Sequence, residues 1–276
     1  MTGNPAVATL SAPPPARVRH DSPKLLVSEV FGPTIQGEGP AVGLPTVFVR
    51  LGGCSYRCSW CDSLHAVLPQ HRHEWESMDA ERVMELVQSL SPAPILVTLS
   101  GGDPAQQDCG PLIALGHGMD YKFCVESQGA IAAPWLKDAD MVVLSPKPPS
   151  SRQRIRWDRF RECLEAAGVT RAWADFTVFV KVPIFDRADL EWVQAELMPR
   201  IEGLPLFLSV GNGHPPADSA ADDDWPRGVY DQDLLSLRSY LLDRWRWLAE
   251  EVLERGIQAR VLPQLHVLGY GNERGR

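Results

Sequence analysis

From residue 25 onward the chain alternates short apolar runs with amphipathic segments. KLLVSEVFG (24–32), LPTVFVRLGG (44–53), PILVTLS (94–100), YKFCVES (121–127), DMVVLS (140–145), FTVFVKVP (176–183) and LPLFLSV (204–210) are rich in Val, Leu, Ile and Phe. Short runs of that kind predict strands. Between them, helices are expected over 78–90, 104–116, 157–168 and 186–198. In the first, Val83, Val87 and Leu90 share one face, with Asp79 or Ser77 as N-cap. The longest helix is expected over 231–255, stopped by Gly256, after which IQARVLPQLHVLGYGN returns to strand-like character. Strand and helix alternating at this spacing specify an α/β fold with a mainly parallel sheet.

Residues 1–24 are rich in Pro and Ala and predict a flexible tail. They lack a charged segment followed by a sustained apolar one, so they do not read as a signal peptide. Residues 25–276 are expected to form a single domain, with 211–230 as a long acidic loop. The chain has 276 residues, 44% hydrophobic and 22% charged, so it can build a core without disulfide staples. A net charge of −8 argues against non-specific binding to nucleic acid or anionic membranes. No apolar run approaches the roughly 18 to 20 residues of a membrane span. Cys109, Cys124 and Cys163 are scattered, as buried cysteines of a cytoplasmic protein are.

Cys54, Cys58 and Cys61 are different, because GCSYRCSWCDS sets half of the six cysteines in eight residues, spaced C-x3-C-x2-C. This loop follows the strand LPTVFVRL. SGGDP (100–104), ESQG (126–129) and SPK (145–147) each follow a strand as well. Parallel α/β folds build their sites at that edge of the sheet. Three thiolates leave a tetrahedral zinc ion one ligand short, and His65, with His71 and His73 near it, is a candidate fourth. The alternative is a [4Fe–4S] cluster with one iron left open for a small molecule.

The pattern C-x3-C-x-aromatic-C, with Trp60 as the aromatic residue, resembles the signature of the radical S-adenosylmethionine superfamily. That resemblance implies a partial (β/α) barrel whose open iron binds S-adenosylmethionine. SEVFGPTIQGEGP (28–40), FVRLGGC, CDS, SGGDP, ESQG, SPK and the closing LPQLHVLGYGN together resemble the 7-carboxy-7-deazaguanine synthase family over most of residues 25–272. The family converts 6-carboxy-5,6,7,8-tetrahydropterin to 7-carboxy-7-deazaguanine with loss of ammonia, in the pathway to queuosine and other 7-deazapurines. The resemblance therefore implies a carbon–nitrogen lyase. Cys54, Cys58 and Cys61 would hold the cluster. Trp60, Asp62, Gly102, Asp103, Ser145 and Lys147 would meet S-adenosylmethionine. Ser63 would offer a hydroxyl to Mg2+, where the family has Thr. Ile35, Gln36, Gly37, Glu38, Arg50 and Ser100 would line the substrate pocket.

The same resemblance implies a flavodoxin or ferredoxin-type electron donor and a homodimer. Asp103 stands where the superfamily has Glu, and a cap on the helix starting at Pro104 is its other reading. Glu126, with Gly129, lies in an altered family motif and its role is open. Ser209 and Val210 replace Gln-Pro, so no contact is carried over there. His266 is expected to be structural. The rivals are another radical enzyme, such as a glycyl-radical activase, a zinc-binding module, and a family member that binds the cofactor without turnover.

Overall fold

A computed structural model describes residues 23–169, 177–212 and 234–275. Residues 1–22 of the expected tail and 213–230 of the expected acidic loop lie outside the described residues. Among those described, nine strands form one sheet: β1 (Leu25–Ile35), β2 (Pro45–Leu51), β3 (Glu76–Met78), β4 (Leu96–Gly101), β5 (Lys122–Ser127), β6 (Met141–Leu144), β7 (Val178–Ile184), β8 (Leu206–Val210) and β9 (Arg260–Leu262). Their spatial order is β3-β1-β2-β4-β5-β6-β7-β8-β9. β1 pairs antiparallel with β2 and β3, and every pairing from β2 to β9 is parallel. The sheet is open, as the partial barrel requires. The helices are α1 (Ala80–Leu90), α2 (Gly110–His117), α3 (Trp157–Ala166), α4 (Arg187–Trp192), α5 (Leu234–Glu254) and α6 (Leu265–Tyr270).

The period-two geometry of a strand gives the sheet two unlike faces. Val47, Val49 and Leu51 of β2, Val97 and Leu99 of β4, and Phe123 and Val125 of β5 belong to one buried apolar cluster. Val180 and Val182 of β7 extend it, and Val83 and Val87 of α1, Ile113 of α2 and Phe160 of α3 cover it. Alternate positions point the other way and carry Arg50, Ser100, Glu126 and Lys181. Register keeps this face aligned: Arg50 pairs with Ser100, and Glu126 with Val143. The apolar face is therefore the core and the polar face is the wall of a cavity.

Four expectations are corrected. The segment 104–116 is a short turn over Pro104–Gln106 followed by α2, because Pro111 has no N–H and fits only the first turn of a helix. The segment 186–198 begins as α4 and widens into a π-turn over Val193–Leu197. The closing stretch is strand only over Arg260–Leu262; LHVLGY is α6, with Val267 buried. Asp79 alone caps α1, accepting from Arg82 N at 3.0 Å, while Ser77 lies in β3.

Leu99 is fully buried in the middle of the sheet. Leu99→Ala should lower the unfolding free energy by ~2–5 kcal/mol, measured by urea denaturation. An unchanged midpoint would mean the two-faced sheet is not what holds the fold together.

Candidate active site

A cavity of about 370 Å3 runs over the polar face of the sheet. At one end stands the cysteine loop. It leaves β2 at Leu51 and is tied on both sides. Gly53 N donates to Ala66 O at 2.7 Å and Asp103 N to Gly53 O at 2.8 Å, so the segment after β4 is tied to the loop after β2. A Cβ on Gly102 would sit 1.9 Å from Gly53 O, so no larger residue fits this crossing. On the far side, Ser59 Oγ donates to Ser150 O at 2.8 Å and Trp60 Nε1 to Ser150 Oγ at 3.1 Å. Ser150 is held in turn by the fully buried Asp189, through its N at 3.0 Å and its Oγ at 2.7 Å. The Trp60 ring stacks on Phe185 with centroids 4.7 Å apart.

Cys54, Cys58 and Cys61 are free thiols and all line the cavity. Burial pushes Cys54 up to about 11 and Cys61 up to about 12, and raises Cys58 too. Thiols so placed ionise only when something positive takes up the charge. Among the described residues, no three His, Cys, Asp or Glu side chains converge on a single ion. The histidines offered as a fourth zinc ligand are engaged elsewhere: His65 with Glu29 at 3.1 Å, His71 with Glu74 at 2.7 Å and His73 with Gln70 O at 2.8 Å. Three free thiols lining one cavity, with these histidines engaged elsewhere, fit an iron–sulfur cluster, which takes one thiolate per iron.

Beside the thiols, Lys147 Nζ donates to Ser145 Oγ at 2.9 Å and lies 5.8 Å from the Trp60 ring centre. Asp62 is exposed at the rim. Ser63 is buried, its Oγ 3.8 Å from Cys61 Sγ. Gly102 lines the cavity but Asp103 does not. Asp103 Oδ1 accepts from Ser127 Oγ at 2.8 Å and from Ala105 N at 3.3 Å, so the side chain caps the Pro104 turn. Its Oδ2 is buried with no geometric hydrogen-bond partner among the described residues, and burial pulls its carboxyl upward despite these bonds.

The other end of the cavity is lined by Ile35, Gln36, Gly37, Glu38, Arg50 and Ser100. Arg50 Nε donates to Glu29 Oε1 at 2.7 Å, which leaves the two terminal nitrogens of the guanidinium for a ligand. Glu29 also engages His65, and accepts from Arg274 Nε at 2.9 Å. Burial raises its carboxyl, but His65, Arg50 and Arg274 together outweigh that and hold it near about 2. Lys181 Nζ donates to Glu38 Oε2 at 2.6 Å and to Glu126 Oε1 at 3.1 Å. Gln264 Nε2 donates to Glu38 Oε1 at 2.5 Å. Burial opposes ionisation of Glu38 as well, yet Lys181, then His266 and Gln264, hold it near about 2.

The segments around Gly37 and His266, far apart in the chain, meet here. Leu265 N donates to Gly37 O at 3.0 Å, and a Cβ on Gly37 would sit 2.1 Å from His266 Nδ1. Sequence reasoning missed Lys181, Gln264, Glu29 and Asp189. Lys181 left one signal: it is the lone charge in the apolar strand run FTVFVKVP.

No family model matches the chain. It is 34% identical over 256 residues to a 7-carboxy-7-deazaguanine synthase of Bacillus cereus, spanning 91% of this chain and 99% of the relative. It is 36% identical over 254 residues to the enzyme of that name from Bacillus subtilis strain 168, spanning 90% and 97%. The chain belongs to the 7-carboxy-7-deazaguanine synthase family. A crystal structure of QueE from Escherichia coli shares the fold, with a TM-score of 0.60 at 20% identity over 88% of this chain and 95% of that one. The matches cover nearly the full length of both Bacillus relatives, and a match of that extent includes the cysteine loop and the Gln36–Glu38 segment.

The depressed acids make the site a source of pH-dependent stability. Glu29 and Glu38 ionise near about 2 in the fold against an ordinary 4.5. Their contribution is complete above about pH 4.5 and is lost as pH falls toward about 2. The melting temperature should drop through that window, and Glu29→Gln should make the drop shallower. Circular dichroism melts at stepped pH would show this, and a slope equal to that of the wild type would remove Glu29 from the account.

Proposed function

We propose that the chain catalyses its family's reaction, converting 6-carboxy-5,6,7,8-tetrahydropterin to 7-carboxy-7-deazaguanine and ammonia. One observation carries this beyond kinship. A single cavity is lined at one end by three free thiols and at the other by Arg50, Glu38 and Glu126. When bound, a [4Fe–4S] cluster with S-adenosylmethionine supplies the one-electron chemistry that removes hydrogen from C6 of the substrate and returns it.

The chain's own residues hold and orient. Cys54, Cys58 and Cys61 bind the cluster. Ser145 and Lys147 present a hydroxyl and a cation suited to the carboxylate or ribose of S-adenosylmethionine, with Trp60, Asp62 and Gly102 beside them. Asp103 supports that wall from behind, through Ser127. Arg50, its Nε occupied by Glu29, turns its remaining fork to the substrate carboxylate. Glu38 and Glu126 accept from the N–H and NH2 groups of the pterin edge. Ile35, Gln36, Gly37 and Ser100 complete that pocket. Ser63 would offer its hydroxyl oxygen to Mg2+, a cation that prefers oxygen ligands.

Kinship supports the rest of the reading: a flavodoxin or ferredoxin-type electron donor, a homodimer and a cytoplasmic location. Among the described residues no helix is long and apolar enough to cross a membrane. One sheet carrying every element of the site supports residues 25–276 as a single catalytic domain.

The test is anaerobic reconstitution with iron and sulfide, then reductant, S-adenosylmethionine, Mg2+ and the pterin, followed by mass spectrometry. Formation of 7-carboxy-7-deazaguanine is expected. If 5′-deoxyadenosine forms without it, the substrate assignment falls; if neither forms on a verified cluster, the chain binds without turnover. Cys58→Ala should lose the cluster's visible absorbance together with all turnover. Arg50→Met should keep that absorbance and lose roughly 100-fold in kcat/KM; an undiminished rate would take the substrate carboxylate away from Arg50.

A further inference from the structure

Lys181 is buried on the cavity face of β7, where nothing in the cluster chemistry asks for an ammonium. It is shared by two acids from different parts of the chain: Glu38 after β1 and Glu126 on β5. Gln36 Nε2 reaches Glu126 Oε1 at 3.4 Å, and Ser100 Oγ lies 3.5 Å from Glu126 Oε2. Gln264 closes the group from the segment before α6, and its Oε1 is enclosed with no hydrogen-bond partner among the described residues. His266 faces Glu38 from α6, and the Cys124 thiol lies near Lys181 from β5.

With Lys181 charged and both acids ionised, the trio carries one excess negative charge. A buried group with surplus acceptors is completed by a ligand that brings N–H donors. Resting on the functional reading above, we propose that Lys181 is the positioning residue of the substrate pocket. By gripping Glu38 and Glu126 together, it keeps both as acceptors aimed at the N–H and NH2 edge of a 2-aminopyrimidinone ring. Lys181 acts through the acids and need not touch the ring.

The alternative state shows why a cation is needed. Without it, two carboxylates share one dry site whose neighbours among the described residues are His266, the Ser100 hydroxyl, the Cys124 thiol and neutral amides. Like charges so placed force one acid to keep its proton. A protonated acid points a donor at the donors of the ring, and binding weakens. As pH rises that acid ionises and binding returns, so loss of Lys181 should be recognised by its pH dependence as well as by its size.

Titration calorimetry of the reconstituted full chain with 7-carboxy-7-deazaguanine, between about pH 6 and about pH 9, tests this. Each variant is read as a ratio to wild type, which cancels ionisation of the ligand. Lys181→Met should bind at least about 30-fold more weakly near pH 7, the ratio recovering as pH rises. Lys181→Arg keeps the cation, so its ratio should stay flat with pH. Lys181→Met binding within about threefold of wild type, a loss that does not vary with pH, or an arginine variant that varies like the methionine one would overturn the proposal.

If Lys181→Met does not fold, the double variant Lys181→Met/Glu126→Gln relieves the conflict of charges. It should bind weakly at every pH, and wild-type affinity from it would equally overturn the proposal. If wild type itself fails to bind the ligand, the functional reading falls and this one with it. If wild type binds and Lys181→Met matches it, only the role of Lys181 is lost.

Discussion

The parallel pairing of β2 with β4 is the constraint on which the site depends. The two strands end side by side, Leu51 opposite Gly101. Gly102 N then donates to Leu51 O at 2.8 Å, and Asp103 N to Gly53 O. That crossing is too close for any Cβ at Gly102. It sets where the cysteine loop begins and which way it leaves the sheet. Ser59 and Trp60 then meet Ser150, and Trp60 meets Phe185, because the loop has a defined starting point and a length that reaches the segments after β6 and β7. The glycines of SGGDP are thus required by backbone packing before any ligand is considered.

The two ends of the cavity solve opposite electrostatic problems. At the cysteine end the thiols are held neutral by burial, and charge enters only with what they bind. At the other end the acids are held ionised in the same dry setting. That is possible because each has a cation within hydrogen-bond reach: Arg50 for Glu29 and Lys181 for Glu38. Buried charges survive only when paired and hydrogen-bonded. One cation is shared by two acids, so acceptor capacity is left on Glu38 and Glu126, which both line the cavity. A pocket built this way recognises a ligand by its donors and rejects one that lacks them, since the acceptors would be left dry and unfilled.

Much of this was legible in the chain. The strand runs, the α1 cap at Asp79 and the placement of motifs just past strand ends follow from local patterning, and the structure has them. Helices that begin or end irregularly were not legible in full: Pro111 delays α2, and the π-turn after Trp192 depends on how Val193 and Leu197 reach the core. The short helix α6 was hidden because LHVLGY is too brief and too apolar for its period to separate helix from strand.

The sequence by itself determined which residues bear chemistry near one another in the chain. Cys54, Cys58 and Cys61 are of this kind, as are Gln36 with Glu38 and Ser145 with Lys147. Only the tertiary structure decided which distant residues complete them. Glu126, Lys181 and Gln264 come from three separate elements, and no local period links them to Glu38. Asp189 reaches the cysteine loop through Ser150 and Phe185, and Arg274 reaches Glu29 across nearly the whole chain. The physical reason is that side-chain period and turn chemistry act over a few residues. Strand order and register, which bring β5, β7 and the segment before α6 to one cavity wall, are settled by how the whole sheet buries its apolar face.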